Sequence, residues 1–353
     1  MRNKFLVGST YYFFAWLSQS KEEFYDVIEN EHVNKVVFFG PEEHEVGELF
    51  SSKEHFLNIK KILKLKKIKY YFVSSSCEDL SLNSLWDYSK IKNCLFWDEF
   101  FFYWVMNFNL KNEIFPFGHS EITKHYTSMN ARAHHHRCMF IDLLYHENLF
   151  DYGYLSWHNI EQWEYPYKFK YWKPVLMSFD NNWINPLGGF KEILLPPKQE
   201  FKTSLFSIIS ESDDTVLKIT EKTVLPIFHK RPFIVQAAPN FHKMLKNKDF
   251  QLFDEVFDYS FDEIPNEPQT TSLRRTTAMI KETKKIVNYD PNDLYKILKP
   301  KLQHNYLIMM KLIFKQKLDN RIKSIIQEIS DITEYGDVYN IKNHQNINKF
   351  IRT

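Results

Sequence analysis

The chain has 353 residues, a formal net charge of +2, and 44% hydrophobic and 25% charged residues. This is ordinary globular composition over a length that holds two domains, and it excludes a strong global pull toward nucleic acid or an anionic membrane. Aromatics are abundant and glycine is scarce, with 32 Phe and 20 Tyr against 8 Gly, and the Lys, Ile, Asn and Phe bias fits an A/T-rich genome such as a virus or phage carries.

Lys4–Val7 reads as a strand. Its apolar run is too short for a signal sequence or a membrane span, and no other stretch approaches ~18 uninterrupted apolar residues. Residues 11–30 predict a helix with Phe14, Leu17, Phe24, Val27 and Ile28 inward. Val33–Phe39 predicts a strand, residues 52–67 a helix with Phe56, Ile59 and Leu63 inward, and Tyr70–Val73 the next strand. Such alternation predicts a parallel sheet with helices on both faces. Cys94–Phe108 is intensely aromatic; a strand followed by a buried helix is one reading, and periodicity does not decide it. Tyr126–Met129 reads as a strand, Asn130-Ala131-Arg132 as a turn, and His135–His146 as a helix with Met139, Phe140, Leu143 and Leu144 on one side. Residues 157–174 read as an irregular excursion, and Lys191–Gln199, with Pro196-Pro197, as a loop. From Pro265 the pattern is helical to Lys323. The three cysteines, Cys77, Cys94 and Cys138, are odd in number, far apart and without zinc spacing, so a reducing cytoplasm is expected.

Residues 205–236 carry the clearest chemistry. The apolar run Leu205–Ser210 ends in the polar loop Glu211-Ser212-Asp213-Asp214; Thr220-Glu221-Lys222 opens a helix-length stretch, and Pro232–Val235 is a second apolar run. Strand, loop, helix, strand is half of a parallel-sheet unit, and ligands in such sheets bind where strand ends meet helix N-termini. Thr220 can cap free backbone N–H groups, Glu221 can accept two ribose hydroxyls, and Lys222 adds a positive charge where a helix end already favours phosphate. Taken alone, Thr-Glu-Lys is also ordinary capping chemistry.

This segment resembles the donor-binding segment of the α1,3-fucosyltransferases. In that family an apolar strand ending in Glu-Asn precedes a short loop, Thr-Glu-Lys, a helix and a Pro-Val strand. Glu211, Thr220-Glu221-Lys222 and Arg231-Pro232-Phe233-Ile234 match this order, while Ser212 stands for the Asn and Ile219 for an aromatic residue. A second stretch, residues 126–158, is similar to the family's strand, Ser-Asn turn, helix arginine and Tyr-Gly; Ser128, Asn130, Arg137 and Tyr152-Gly153 stand in comparable places. Without the resemblance, Arg137 reads as a solvated helix arginine.

The resemblance implies an α/β protein with two Rossmann-like domains in the GT-B glycosyltransferase architecture and a helical C-terminal tail. Residues 1–122 would form an acceptor-side domain, residues 123–290 a donor-binding domain, and residues 291–353 an extension. The implied enzyme is a glycosyltransferase moving a sugar from a nucleoside-diphosphate sugar, with a GDP-fucose-like donor first, to a hydroxyl acceptor. It would act by inverting displacement, with the nucleotide sugar as co-substrate and no metal or other cofactor. Donor contacts fall to Ser128, Asn130, Arg137, Ser212, Thr220, Glu221 and Lys222, and Glu211 would lie near the reacting sugar.

The base implied by the resemblance is a carboxylate of the N-terminal half. Glu42, Glu43, His44 and Glu45 follow a strand, with Glu43 the first candidate and Asp98-Glu99 the next. His134-His135-His136 lack the i, i+4 spacing that a zinc site prefers. The lysines of residues 60–67 and the basic C-terminal helices read as solvated faces that leave a contact with DNA phosphates open. Trp157, Trp163, Tyr165, Tyr167 and Trp172 are core or sugar-stacking candidates. The acceptor expected first is a glycan. A hydroxylated base in viral DNA is the alternative, as is a non-catalytic nucleotide-fold binding protein. No membrane segment is expected, and the location expected is the cytoplasm, the host's if the source is viral.

Overall fold

The computed structural model describes residues 6–7, 9–14, 21–40, 53–74, 94–96, 101–102, 105, 122–130, 135–157, 198–212, 214, 216–266, 273–315, 320–321 and 323–325. The protein is mixed α/β with parallel sheets, compatible with Rossmann-like folding. It divides into two compact units, Met1–Asn107 with Lys315–Thr353, and Phe108–Phe314. No described helix is long and apolar enough to cross a membrane.

Among the described residues, the first unit holds a five-stranded sheet in the order β1 (Leu6–Val7), β2 (Thr10–Phe14), β3 (Lys35–Gly40), β4 (Lys69–Ser74), β5 (Cys94–Phe96). β1 runs antiparallel to β2, and β2 to β5 are parallel. Helix α1 (Lys21–Asn30) joins β2 to β3, and α2 (Lys53–Leu65) joins β3 to β4. The aromatic surplus becomes core here. Phe38 stacks on Phe72 at 4.8 Å, and Phe24 of α1 packs edge-on against Phe13 at 5.7 Å. Residues 11–14, expected to be helical, are strand instead. Thr-Tyr-Tyr-Phe-Phe suits a pleated surface, and Tyr11, Tyr12 and Phe13 are all buried, so the run lacks the alternation that marks a half-exposed strand. Cys94–Phe96 is a strand, residues 101, 102 and 105 are helical, and Phe101, Phe102 and Val105 are buried.

The second unit's described residues hold four parallel strands in the order β7 (Gly153–Trp157), β6 (Lys124–Asn130), β8 (Ser204–Ser210), β9 (Phe233–Gln236). Helix α3 (His135–His146) joins β6 to β7; α4 (Lys198–Thr203) runs straight into β8; α5 (Glu221–Phe228) joins β8 to β9. Then come α6 (Phe241–Asn247), α7 (Leu273–Thr283) and the long α8 (Pro291–Lys315). β7 falls just before and into the stretch expected to be irregular. Gly153 lies opposite Tyr126, and a Cβ there would sit 2.3 Å from the Tyr126 ring, whose hydroxyl donates to the Leu149 carbonyl at 2.8 Å. That glycine makes room for a fixed ring.

The order β7-β6-β8-β9 means that the chain steps outward from β6 to β7 and then returns to the other side of β6. The switch point therefore lies between the carboxyl ends of β6 and β8, where open parallel sheets bind ligands. All seven residues of β8 are buried, so this strand is covered on both faces. Residues 291–314, read from sequence as part of an extension, belong to this unit. Asn305 of α8 takes both backbone groups of Gln251, at 2.7 and 2.9 Å, and Tyr306 packs on Phe228.

Candidate functional site

The register brings four strand ends into one row. Asn130 pairs with Trp157 and Ser210 with Gln236, and the β6–β8 offset carries Asn130 opposite Ser210. Loops and helix starts beyond this row form the site.

Glu211, the first residue past β8, is its hub and is 1% exposed. Its backbone N–H donates to Gln236 at 2.9 Å. Its carbonyl accepts from His136 Nε2 at 2.8 Å and from Arg137 Nη2 at 3.3 Å, which ties the start of α3 to the end of β8. Its carboxylate accepts from Thr223 Oγ1 at 2.6 Å, from the Ser212 N–H at 3.3 Å, from the Thr220 N–H at 3.4 Å and from the Thr220 hydroxyl. The geometry therefore makes Glu211 a brace for the loop and the start of α5. The sequence placed Glu211 near the reacting sugar; here its carboxylate is taken up by two hydroxyls and two backbone N–H groups.

Thr220 is the N-cap of α5. Its backbone is extended (φ −107°, ψ 178°), and its Oγ1 accepts from the Lys222 N–H at 3.4 Å. One hydroxyl thus serves both the brace and the helix end. The Lys222 ammonium donates to Ser212 Oγ at 2.9 Å and pairs with the Glu221 carboxylate. Glu221 is 5% exposed at its side chain and Lys222 19%, so the lysine is the partner that reaches solvent.

At the end of β6, the Asn130 N–H donates to Ser156 Oγ at 3.0 Å and its side-chain amide to Ser128 Oγ at 3.0 Å. The Asn130 side-chain oxygen is buried with no hydrogen-bond partner among the described residues. It is an acceptor held open at the switch point, and a buried polar atom in that state costs free energy.

The sequence reading missed several members. Gln236 links Ser210 (2.6 Å), the His136 carbonyl (3.2 Å) and Thr276 of α7 (3.2 Å). Asp214 lies between His136 Nδ1 at 3.7 Å and Arg275 Nη2 at 3.9 Å. Burial lowers the Arg275 pKa, while Asp214 and Asp262 pull it back up. Thr223 was legible as a hydroxyl one helical turn after Thr220; nothing in the sequence singles out Arg275. Asp262 and His242 form a buried pair at 2.8 Å, but the other ring nitrogen of His242 accepts from the Val235 N–H, so both ends are occupied. Burial pushes the Asp262 carboxyl up; bonds from the His242 ring and from the His242 and Lys243 N–H groups outweigh it and leave the carboxyl below its usual range.

The structure joins Arg137, Glu211, Ser212, Thr220, Glu221 and Lys222 through one hydrogen-bonded chain, with the Ser128–Asn130 pair on the neighbouring strand end. Glu42, Glu43, His44, Glu45, Asp98, Glu99, Asp213 and the aromatics from Trp163 to Trp172 lie outside the described residues. His136 turns to Glu211 and Asp214. No three His, Cys, Asp or Glu side chains among the described residues are placed to hold a metal ion. An open groove of about 620 Å³ lies elsewhere, beside α6 and α8; its Lys301 and Lys311 face Glu255 and Asp249, so it offers an anion little unbalanced charge. No family model, curated protein or solved structure matches the chain.

Proposed function

We propose that this protein is a glycosyltransferase of GT-B type, moving a sugar from a nucleoside-diphosphate sugar, GDP-fucose-like first, to a hydroxyl of a glycan by inverting displacement. The observation that carries this reading is the bonded chain from Arg137 through Glu211 and Thr220 to Lys222, set around a capped helix start at a sheet switch point. Two cations and a helix N-terminus suit a diphosphate. An incoming diphosphate would draw Lys222 from Glu221, and the freed carboxylate would accept the ribose hydroxyls. The Asn130 side-chain oxygen and Ser128 would meet the donor from the neighbouring strand end.

In the reaction the bond from the anomeric carbon to the diphosphate oxygen breaks, and its electron pair leaves with the nucleotide. Arg137, Lys222 and the start of α5 stabilise that charge. The acceptor oxygen forms the new bond from the opposite face and gives its proton to a carboxylate, which we assign first to Glu43. Glu211 holds the donor loop and does not touch the reacting atoms.

The test is binding of GDP, UDP, CDP and dTDP, read as a melting-temperature shift and by calorimetry. One of them should stabilise the protein. Lys222→Ala should weaken that nucleotide roughly tenfold to a hundredfold, the loss of one charge-assisted bond of about 1.5–3 kcal/mol. If no nucleotide stabilises the protein, the transferase reading falls and a non-catalytic nucleotide-fold protein replaces it.

A further inference from the structure

Helix α2 carries four lysines against one glutamate in Lys53–Leu65, a larger net charge than the +2 of the whole chain. The charge is therefore local. At 100° per residue, Ile59 and Leu63 share the inward side, and both are buried. Lys60, Lys64, Leu57, Lys61 and Leu65 then follow one another around the outward side, and all five are exposed. Lys60, Lys61 and Lys64 have no acidic partner among the described residues. Two leucines stand within this basic face: Leu57 is 51% and Leu65 74% exposed, the latter the highest value among the large exposed hydrophobic residues described. Lysines and leucines thus share one solvent-facing surface.

We propose that the outward face of α2 docks the protein on an anionic lipid bilayer. The lysines are complementary to acidic headgroups, and their long stems let the charge stay at headgroup level while apolar surface beside it sinks below. The leucines decide between lipid and nucleic acid. Phosphates of a duplex would take the lysines equally well but offer nothing to Leu57 and Leu65, whereas the acyl boundary of a bilayer covers both. The contact is peripheral and spans nothing. It stands independently of the transferase reading, because α2 belongs to the first unit and none of its residues takes part in the donor site.

The test is flotation of the full chain with phosphatidylcholine vesicles, with and without phosphatidylglycerol. Binding should require the anionic lipid and should weaken as salt shortens the screening length to ~3 Å at 1 M. Lys60→Gln/Lys61→Gln/Lys64→Gln should weaken it about a hundredfold, near fivefold per lysine. Leu57→Ser/Leu65→Ser keeps every charge and should still weaken binding several-fold. Both variants alter exposed side chains, and unchanged melting temperatures would verify their folding. Failure to float with anionic vesicles, or floating unaffected by either variant, would overturn the proposal. Tighter binding to duplex DNA than to anionic vesicles, undisturbed by the leucine variant, would overturn it in favour of nucleic acid. Nucleotide-induced stabilisation should be the same in both variants, which separates this result from the donor-site test.

Discussion

Glu211 is buried just past the end of β8. A glutamate at a strand end beside a nucleotide-like motif reads as chemistry. Its surroundings supply donors only: two threonine hydroxyls and two backbone N–H groups on one buried carboxylate. A carboxylate can accept from all of them, and an amide cannot. Glu211→Gln should therefore turn an N–H₂ toward a donor, cost about 1–3 kcal/mol of stability, and weaken nucleotide binding together with the melting temperature. A variant that melts like the parent would show that the carboxylate braces nothing. Gly153 is the opposite case. Its role is the space it leaves for the Tyr126 ring, a packing reason that needs no ligand.

At the scale of elements, scarce glycine leaves a mark. Among the described residues, four helices end on a left-handed residue that is not glycine: Lys67 after α2, Asn148 after α3, Lys230 after α5 and Asp249 after α6. Each end has the same pair of bonds. After α2 they run from Ile68 N–H to Leu63 and from Lys67 N–H to Lys64; after α5, from Arg231 to Pro226 and from Lys230 to Ile227. This is the Schellman ending, in which orphan carbonyls of the last turn are satisfied. A side chain in the left-handed region pays a steric penalty that glycine avoids. Lys67→Gly should thus stabilise the protein by up to about 1 kcal/mol, read as a higher denaturant midpoint at unchanged slope. A lowered midpoint would mean that the exposed Lys67 side chain contributes more than its backbone strain costs.

For the whole molecule, the two edges of the second sheet are opposite in character. The carboxyl edge gathers paired acids and bases. The amino edge buries His229 and Arg231, with the Arg231 guanidinium bonded to the Ser204 carbonyl at 2.7 Å and stacked over Phe201. Burial first, and the Arg231 charge second, lower the His229 pKa from 6.5 to about 3. The folded protein then refuses a proton that the unfolded chain accepts. Stability from this group is complete above about pH 6.5 and drains away as pH falls from there toward 3. Melting temperature should fall across that window, and His229→Phe, which puts a ring that does not titrate beside Phe201 and Phe228, should flatten the fall. An unchanged slope would place the acid sensitivity elsewhere.

Local interactions made much of this protein legible in sequence. Helix α2, strands β3 and β4, and the order β8, loop, α5, β9 follow from apolar spacing, and Thr220 as a cap follows from its neighbours two residues on. The strand at residues 10–14 was hidden because a run buried on both faces loses its alternation. The site was half hidden for a related reason. Thr220, Glu221 and Lys222 are consecutive, so their association is local. His136 and Arg137 meet Glu211 across 75 and 74 residues, Asn130 meets Ser156 across 26, and Gln236 meets Thr276 across 40. Those partners depend on which strand lies beside which. Spacing along the chain fixes which face of an element turns inward; only the order of the strands, decided by packing the whole sheet, fixes which ends meet.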